Sequence, residues 1–424
     1  GEWQDVFEYK VQVNLDKPQD ASMVQFDMGS PVEVMVKKNN GTVREVAIRP
    51  LNNEIAFRQV QNTVFFSLDK PRYLSVEKPQ YLSVEFNGDR LHNLHLFANP
   101  MEKEVYSGEA KGVMFFGPGV HRPKDLPNNQ IRVPSNTTVY LAPGAVLKAK
   151  LLVDNAENVR IIGRGILDHP VRGIEITDSE NVLVDGITVV NPEHYTVFGG
   201  GSSEIVIRNL KTFSCKSWSD GIDMMCCRKV LVDNVFLRTS DDCIALYNHR
   251  WNWWGGSSDI TVQNSVLWAD VAHPINVGGH GDPDSSTGEV IENLTFRNVD
   301  ILEHDEDDPM YQGCMTVDCG DRNRVRNVLF EDIRVEHIQE GRLFYVKVRF
   351  NPKYDRQPGS SIEGVVFRNI TYTGVGENRS LIQGLSRDGM VRNVTFENVT
   401  INGEKMRDLK ETVTNEFISN VSVK

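Results

Sequence analysis

The sequence contains no apolar run long enough to cross a membrane and no basic stripe that would offset its acidic balance. A membrane-spanning helix needs about 20 consecutive apolar residues, so we expect no membrane span. The formal net charge of −12 argues against a nucleic-acid partner, because such partners are bound through clustered lysine and arginine. The charge does not argue against a carbohydrate partner.

Cysteine is scarce as well, with six residues in a chain of 424. The spacing of these cysteines, including the adjacent pair Cys226 and Cys227, matches no zinc-binding pattern. Disulfide formation and burial as free thiols are both open for them. We expect neither a metal ion nor another cofactor.

The first residues, "GEWQDVFEYK", include neither a methionine nor an apolar signal region. We expect a secretory signal to have been removed and the protein to be secreted or periplasmic. With 40% hydrophobic and 25% charged residues, the composition is typical of a folded, soluble protein. The length suits two domains or an elongated repeat array, and the sequence leaves the oligomeric state open.

From about residue 150 onward, one phrase recurs in the sequence, as in "NVLVDGITV" and "NLTFRNVDI". Two short alternating β-type runs flank a central glycine, asparagine or aspartate. The central residues, which follow one another at steps of 23 to 37 residues, are Gly163, Gly186, Asn209, Asn234, Asn264, Asn298, Asp332, Asn369 and Asn398. Such a period without a helical pattern is typical of a β-solenoid. We predict an all-β protein with a right-handed parallel β-helix; a β-sandwich of unrelated strands is the alternative.

The first 115 residues lack this phrase and show alternating strands separated by turn signals such as "NNG" and "NGD". A direct repeat over residues 70–85, "KPRYLSVE-KPQYLSVE", predicts two strands of similar pattern. We predict a small N-terminal β-sandwich over residues 1–115 and a catalytic β-helix over residues 116–424. The two meet where glycine and proline concentrate, in "FFGPGVHRPKDLPNN".

Several acidic residues fall on one face of the predicted solenoid, where residues one period apart stack about 4.8 Å from each other. Asp220 precedes Asp241 and Asp242 by 21 and 22 residues, close to the 25-residue step of that coil. His273 follows Asp242 by 31 residues, against a step of 30. We therefore expect these four side chains in one column.

Carboxylates held this close raise the pKa of one member and so separate an acid from a base. Hydrolysis of a glycosidic bond requires an acid to protonate the leaving oxygen and a base to activate water. With two bases holding water opposite the acid, we expect inversion of the anomeric centre and an acid–base separation of about 6.5–9.5 Å.

Three tryptophans, Trp251, Trp253 and Trp254, lie in an insertion that lengthens the same coil. Exposed aromatic faces beside carboxylates suit the apolar faces of sugar rings. Packing of the loop onto the solenoid is the alternative for one or two of them. We expect at least one to contact substrate.

These segments resemble those of the parallel β-helix glycoside hydrolases of families 28 and 49, the polygalacturonases and the dextranase–isopullulanase group. "SDGID" resembles the Asn-Thr-Asp-Gly segment of family 28, with Asp220 at the aspartate and Trp218 in place of the asparagine. "SDDCIAL" resembles the Asp-Asp-Cys segment, and "AHPINVGG" aligns with the Gly-His-Gly segment at His273. The predicted domain order, an N-terminal β-sandwich followed by a β-helix, is similar to that of the dextranase family.

The resemblance implies a metal-independent, inverting glycoside hydrolase that acts on a polysaccharide or oligosaccharide. It implies that Asp241 is the general acid and that Asp220 and Asp242 position the water. Polygalacturonases bind the galacturonate carboxylate with an Arg-x-Lys pair, and the corresponding region here, "GCMTVDCGD", has Asp318 and no basic pair. The sugar, the linkage and endo or exo action therefore stay open. A β-helix polysaccharide lyase and a non-catalytic carbohydrate-binding solenoid are the alternative functions.

For four further residues, the sequence allows two interpretations each. His280, in the glycine-rich "GGHGDPDSS", binds sugar or is a mobile surface residue. Lys347 and Arg349 alternate on a strand and so face one way together, either into the cleft to bind substrate or to solvent. Asp223 is a fourth acid or a satisfied turn residue, and the sequence favours the turn.

Overall fold

The computed structural model describes residues 2–69, 80–124, 126–374 and 378–424. The chain divides into two compact units, Gly1–Val105 and Tyr106–Lys424. Strand Val113–Phe116, at the predicted boundary, pairs in parallel with Thr138–Leu141 and so belongs to the second unit. The first copy of the direct repeat lies outside the described residues. The second copy continues into the strand that begins at Gln80.

The first unit consists of two sheets. A five-stranded sheet contains, in spatial order, Tyr9–Val13, Gln19–Met28, Asp89–Pro100, Gln80–Phe86 and Val46–Arg49. A three-stranded sheet contains Val32–Lys37, Thr63–Leu68 and Phe57–Val60, and a short 3-10 helix spans Leu51–Asn53. Alternate residues of both sheets, such as Val64, Val84 and Leu96, form one shared core. The two sheets and their shared core support the predicted β-sandwich in part.

The second unit contains two large sheets of stacked strands. The eleven-stranded sheet comprises Gln130–Arg132, Lys150–Asp154, Ile174–Thr177, Val197–Gly200, Ile222–Met225, Ile244–Tyr247, Ile275–Val277, Met315–Cys319, Phe344–Val348, Ser380–Gln383 and Thr412–Thr414. The nineteen-stranded sheet comprises Val113–Phe116, Gly119–His121, Thr138–Leu141, Ala145–Leu147, Glu157–Gly163, Ile166–Asp168, Glu180–Asp185, Thr188–Val190, Ser203–Arg208, Lys211–Phe213, Arg228–Asp233, Phe236–Thr239, Ser257–Ala269, Val290–Glu303, Arg324–Val335, Ser361–Tyr372, Val391–Ile401, Glu404–Lys405 and Ile418–Val423. A two-stranded hairpin, His249–Arg250 and Trp253–Trp254, and a 3-10 turn at Pro127–Asn129 complete the unit.

Among the described strands of these two large sheets, one hairpin at Thr400 and Lys405 is antiparallel and every other pairing is parallel. The sheets enclose a continuous core of stacked aliphatic and aromatic side chains. Phe296, Phe330, Phe367 and Phe396 stack in register, with ring centroids 4.9–5.1 Å apart. The predicted parallel β-helix is confirmed.

The recurring phrase has the structural role that its composition predicts. All nine of its central residues have positive φ, from 53° at Asn369 to 125° at Gly163. The asparagines among them form hydrogen bonds from coil to coil, as where the Asn234 side chain donates to that of Asn209 at 2.9 Å and the Asn298 side chain donates to that of Asn264 at 2.8 Å. Asparagine is suited to this turn because it tolerates the left-handed conformation and carries both a donor and an acceptor.

The eleven-stranded sheet also presents a row of side chains that point away from the core, because strand residues alternate between faces. Its members pair in register across successive coils: Phe198, Asp223, Ala245, Asn276, Thr316 and Tyr345. We call them the outer row. The polar members of this row lie beside the turns that precede the same strands.

Two findings concern the composition of the chain. All six cysteines are free, and five of them are buried. Of the two alternatives, disulfide formation and free thiols, the structure therefore has free thiols. Within the described part of the chain, no helix is both long and apolar enough to traverse a bilayer.

Candidate active site

Three aspartates meet at the turns that lead into two neighbouring strands of the eleven-stranded sheet. One carboxylate oxygen each from Asp220, Asp241 and Asp242 lies within 4.8 Å of the others. The parallel pairing continues through these turns, because the Gly221 amide donates to the Asp242 carbonyl at 2.8 Å. The Cys243 amide likewise donates to His273 at 2.8 Å. The structure thus brings together the four residues whose spacing in the sequence predicted one column, namely Asp220, Asp241, Asp242 and His273.

The three carboxylates lie close together because side chains on adjacent coils are separated by a single strand spacing. One oxygen of each aspartate lies within 4.8 Å of one oxygen of each of the others. The expected acid–base separation of about 6.5–9.5 Å refers to whole carboxyl groups and stays a prediction.

Asp241 is the most accessible carboxylate of the cluster and is held by two backbone amides. Its Oδ2 accepts a hydrogen bond from the Trp218 amide at 2.8 Å, and its Oδ1 accepts one from the Asp242 amide at 3.0 Å. Burial, followed by the charge of Asp242, raises the pKa of Asp241 to about 6. A carboxyl group in this state is suited to donate a proton near neutral pH.

Asp242 is the ionised member of the cluster, because His273 lies directly behind it. The Nδ1 of His273 donates to Asp242 Oδ1 at 2.7 Å, and its Nε2 donates to the Tyr311 carbonyl at 2.6 Å. Because both nitrogens act as donors, the ring is an imidazolium. Burial disfavours that charge, yet Asp242 and then Glu306 raise the pKa of His273 to about 9. Burial likewise pushes the pKa of Asp242 upward, but His273 and Asn276 hold it below its ordinary value.

The second oxygen of Asp242 is also occupied. Asn276 donates to Oδ2 at 2.6 Å and the Tyr247 hydroxyl donates to it at 3.2 Å. Asn276 also contacts the Tyr311 hydroxyl at 2.5 Å. These donors fix the orientation of the Asp242 carboxylate.

Asp220 and Asp223 form the inner side of the cluster. Both are buried, and their pKa values lie well above the ordinary value because of burial first and the surrounding carboxylates second. Asp223 belongs to strand Ile222–Met225 and to the outer row, so the favoured interpretation as a turn residue is wrong. The site therefore holds four carboxyl groups, of which Asp242 carries the most stable charge.

The three tryptophans of the insertion differ in their surroundings. Trp251 remains 38% exposed while its ring contacts Phe198 and Tyr195 at centroid distances of 5.3 and 5.8 Å. Trp253 packs onto Phe198 at 5.0 Å, and Trp254 stacks on His249. Trp251 and Trp253 thus both contact Phe198 of the outer row, and Trp251 also contacts Tyr195.

His280 is a half-buried residue rather than a surface residue. Its ring lies 4.9 Å from that of Tyr247, and its Nε2 accepts a hydrogen bond from Arg250 Nη1 at 3.5 Å. Burial and then the guanidinium groups of Arg250 and Arg349 lower the pKa of His280 to about 3, so the imidazole is neutral. Its position next to Tyr247 places it at the edge of the acidic cluster.

Lys347 and Arg349 lie one coil beyond Asp318, at the far side of the cluster. Lys347 pairs in register with Asp318, and Arg349 Nε lies 2.8 Å from Asp318 Oδ2. Arg349 is only 2% exposed by its side chain and also lies 3.4 Å from Asp355. The guanidinium is therefore buried against two of the protein's own carboxyl groups.

Sequence reasoning missed several residues that surround the acids. Tyr247 and Asn276 could have been found, because each sits on a predicted strand directly after a predicted acid or histidine. Tyr311 and Tyr354 come from long insertions whose paths no periodicity describes. Arg250 lies inside the tryptophan segment, where the aromatic residues dominated the interpretation.

The aspartates could also supply oxygen ligands to a hard cation. Two features disfavour that use: Asp242 already accepts hydrogen bonds on both oxygens, and the raised pKa values of Asp220 and Asp241 oppose full ionisation. We retain the expectation of a reaction without a metal ion.

The fold and the site define a parallel β-helix with a carboxylate centre of the glycoside hydrolase type. The sequence profile described as glycosyl hydrolases family 28 matches residues 137–420, more than half of the chain. The chain therefore belongs to glycosyl hydrolases family 28. This confirms the predicted resemblance and the prediction of a glycoside hydrolase domain.

Two curated relatives are similar to parts of the chain. A probable endopolygalacturonase D of Neosartorya fischeri is 25% identical over 248 residues, which cover 58% of this chain and 46% of that protein. A polygalacturonase of Chamaecyparis obtusa is 32% identical over 120 residues, covering 28% of this chain and 21% of that protein. The matches thus span about half, or less, of the length of these relatives.

Two solved structures share the fold. Dex49A from Penicillium minioluteum superposes with a TM-score of 0.66 at 16% identity, covering 96% of this chain and 84% of that one. A family 28 exopolygalacturonase of Yersinia enterocolitica superposes with a TM-score of 0.51 at 14% identity, covering 84% of this chain and 85% of that one. The first similarity extends over both units, which agrees with the predicted likeness to the dextranase architecture.

Proposed function

We propose that this protein is an inverting glycoside hydrolase that cleaves glycosidic bonds of a polysaccharide or oligosaccharide. The observation that carries the proposal is the pairing of Asp241, whose pKa is about 6, with the ionised Asp242 beside it. Asp241 donates a proton to the leaving oxygen. Asp242 and Asp220 hold the water that attacks the anomeric carbon, and this water gives its proton to Asp242, because Asp242 is the ionised member and the pKa of Asp220 is raised.

Inversion rests on the number and state of the carboxylates. In a retaining enzyme, one carboxylate attacks the sugar directly. Asp242, however, has both oxygens engaged by donors from His273, Asn276 and Tyr247, which stabilise the anion and weaken it as a nucleophile. A water held between Asp242 and Asp220 is the better nucleophile, and its attack inverts the centre.

Acidic and neutral glycans are both candidate substrates. The curated relatives are polygalacturonases by name, and Dex49A is a structural relative whose similarity covers 96% of this chain. Arg349 is buried against Asp318 and Asp355, which keeps its guanidinium from a uronate. We propose that Trp251 stacks on a sugar ring and that His280 contacts a hydroxyl. A polysaccharide substrate also agrees with the predicted secreted or periplasmic location.

The experiment that tests the proposal is incubation of the protein and its Asp241→Asn variant with galacturonans, dextrans and plant or host glycans. We expect new reducing ends that disappear with the variant, and an initial product whose anomeric configuration, read by proton NMR, is opposite to that of the cleaved bond. Products with the ultraviolet absorbance of an unsaturated sugar would instead identify a lyase. Glycan binding without any bond cleavage would identify a carbohydrate-binding solenoid.

A further inference from the structure

The outer row is covered on both sides of the acids. A long groove would leave the neighbouring members of this row open to solvent, so that a polysaccharide could lie across several coils. Instead Phe198, on the preceding coil, is 1% exposed, and Asn276, Thr316 and Tyr345, on the following coils, are each 0% exposed. The row is therefore buried on both sides of the acids, as it is at Asp223 and Ala245 between them.

On the side of the preceding coils, the cover comes from the tryptophan hairpin. The Trp251 ring lies over Phe198 at 5.3 Å and beside Tyr195 at 5.8 Å. Arg172 lies 4.4 Å from the centre of the Trp251 ring and donates to Glu175 at 2.6 Å, which fixes the ring from beneath. The hairpin therefore stands directly beside the catalytic coil.

On the side of the following coils, the cover comes from the segment that contains Met310 and Tyr311. The Tyr345 hydroxyl, in the outer row, donates to the Met310 carbonyl at 2.6 Å. The Tyr311 hydroxyl contacts Asn276, and the Tyr311 carbonyl accepts from His273. This segment is therefore tied to the same residues that orient Asp242.

The two covers are connected by side chains that form a rim around the acids. Arg250 lies 5.5 Å from the Trp251 ring and donates to His280 at 3.5 Å. The His280 ring lies 6.4 Å from that of Tyr354, which in turn lies 5.6 Å from that of Tyr311. We call these five residues, Trp251, Arg250, His280, Tyr354 and Tyr311, the rim. An ion pair of 3.5 Å between Lys353 and Asp308 links two of the loops that carry it.

One side of the acids remains open. Asp241 is the partly exposed carboxylate, and Trp218, whose amide donates to it, is 63% exposed. The site is therefore enclosed along the row and open beside Asp241. A pocket of this form admits the terminus of a glycan, whereas the interior of a polymer needs free passage on both sides of the cleaved bond.

We propose that the protein is a chain-end hydrolase, in which the rim limits cleavage to a terminal unit of fixed length. This inference rests on the proposed glycosidase function and adds its mode of attack. The rim residues Tyr311 and Tyr354 are specificity-determining: they block the continuation of the chain past the acids. Bond cleavage itself proceeds at Asp241 as described above.

The test compares products on whichever polymer of the panel is cleaved. We expect one short product of constant length from the earliest samples onward, while the viscosity of the polymer falls slowly. An early ladder of oligosaccharides with a rapid loss of viscosity would overturn the proposal and leave the hydrolase standing. Failure to release any reducing ends would contradict the proposed function instead, so the two failures are distinguishable.

A variant of the rim gives a second, independent readout. Tyr354→Ala removes the link between His280 and Tyr311, and we expect internal cleavage to appear as longer oligosaccharides besides the terminal product. Tyr354→Phe retains the ring and should keep the single product, which makes it the matched control. If Tyr354→Ala, shown to be folded by circular dichroism, gave the same single product as the wild type, the rim would not determine the mode of attack.

Discussion

Single residues determine that, among four neighbouring carboxyl groups, Asp242 stays charged while the pKa of Asp241 is raised. Asp242 is ionised because the His273 imidazolium and Asn276 donate to it, whereas Asp241 receives two backbone amides and retains a raised pKa of about 6. The split arises from environment alone, since both are aspartates on adjacent positions of one turn. It explains why the chain places two repelling carboxylates next to each other.

The pH dependence of turnover follows from this split. An acid catalyst must be protonated, so kcat/KM should fall about tenfold per pH unit above the pKa of about 6 of Asp241. On the acid side, activity should persist until Asp242 becomes protonated, below its ordinary pKa of 3.8. Because the two carboxyl groups interact, each limb of the pH profile gives an apparent pKa that belongs to the pair of groups. A plateau of kcat/KM that extended well above neutral pH would contradict Asp241 as the acid.

His273 is a positioning residue, and its substitution has a specific signature. In His273→Gln the cation behind Asp242 is lost, so the pKa of Asp242 should rise by about one to three units. The acid limb of the kcat/KM profile should move upward accordingly, while the alkaline limb changes less. A uniform loss of activity without a shift of the acid limb would indicate a purely structural role for the histidine.

At the scale of single elements, the turns of the β-helix carry the information that the sequence displays most clearly. The nine anchors were visible as a period, and each adopts the left-handed conformation that asparagine, aspartate or glycine tolerates. The insertions were not predictable in the same way. The loops that carry Tyr311 and Tyr354 contain no period, and their contacts with His280 and Asn276 join coils that are distant in sequence.

The asparagine ladder should contribute measurably to stability. Asn234→Ala places alanine, which disfavours the left-handed conformation, at a φ of 55°. It also removes the side-chain hydrogen bond to Asn209. We expect a loss of about 1–3 kcal/mol in the free energy of unfolding, from the unfavourable backbone and the lost bond together. Asn234→Gly, which tolerates the backbone conformation, should lose less. Equal denaturant midpoints for the two variants would show that the backbone conformation contributes nothing.

At the scale of the whole molecule, the sequence predicted the two units and the group of acids, but it did not predict how the surrounding loops enclose the acids. Two units, the β-helix and the column of acids followed from alternation and spacing. The enclosure of the acids did not, because it depends on where insertions between coils fold.

The catalytic machinery belongs to one unit. Every residue named in the site, and every partner that orients it, lies within Tyr106–Lys424, which has its own continuous core. We therefore expect a fragment of residues 106–424 to fold and to cleave a short oligosaccharide with kcat/KM close to that of the full chain. Near-ultraviolet circular dichroism would confirm the fold. A folded fragment without activity would mean that the first unit contributes to catalysis.

The most direct measurement of the proposed chemistry compares Asp241→Asn on two substrates that differ only in the leaving group. On the natural linkage, whose leaving oxygen needs a proton, kcat should fall by about 10²–10⁴-fold. On an aryl glycoside of the same sugar with a strongly acidic phenol, which leaves without protonation, the variant should retain most of its activity. Equal losses on both substrates would contradict Asp241 as the general acid.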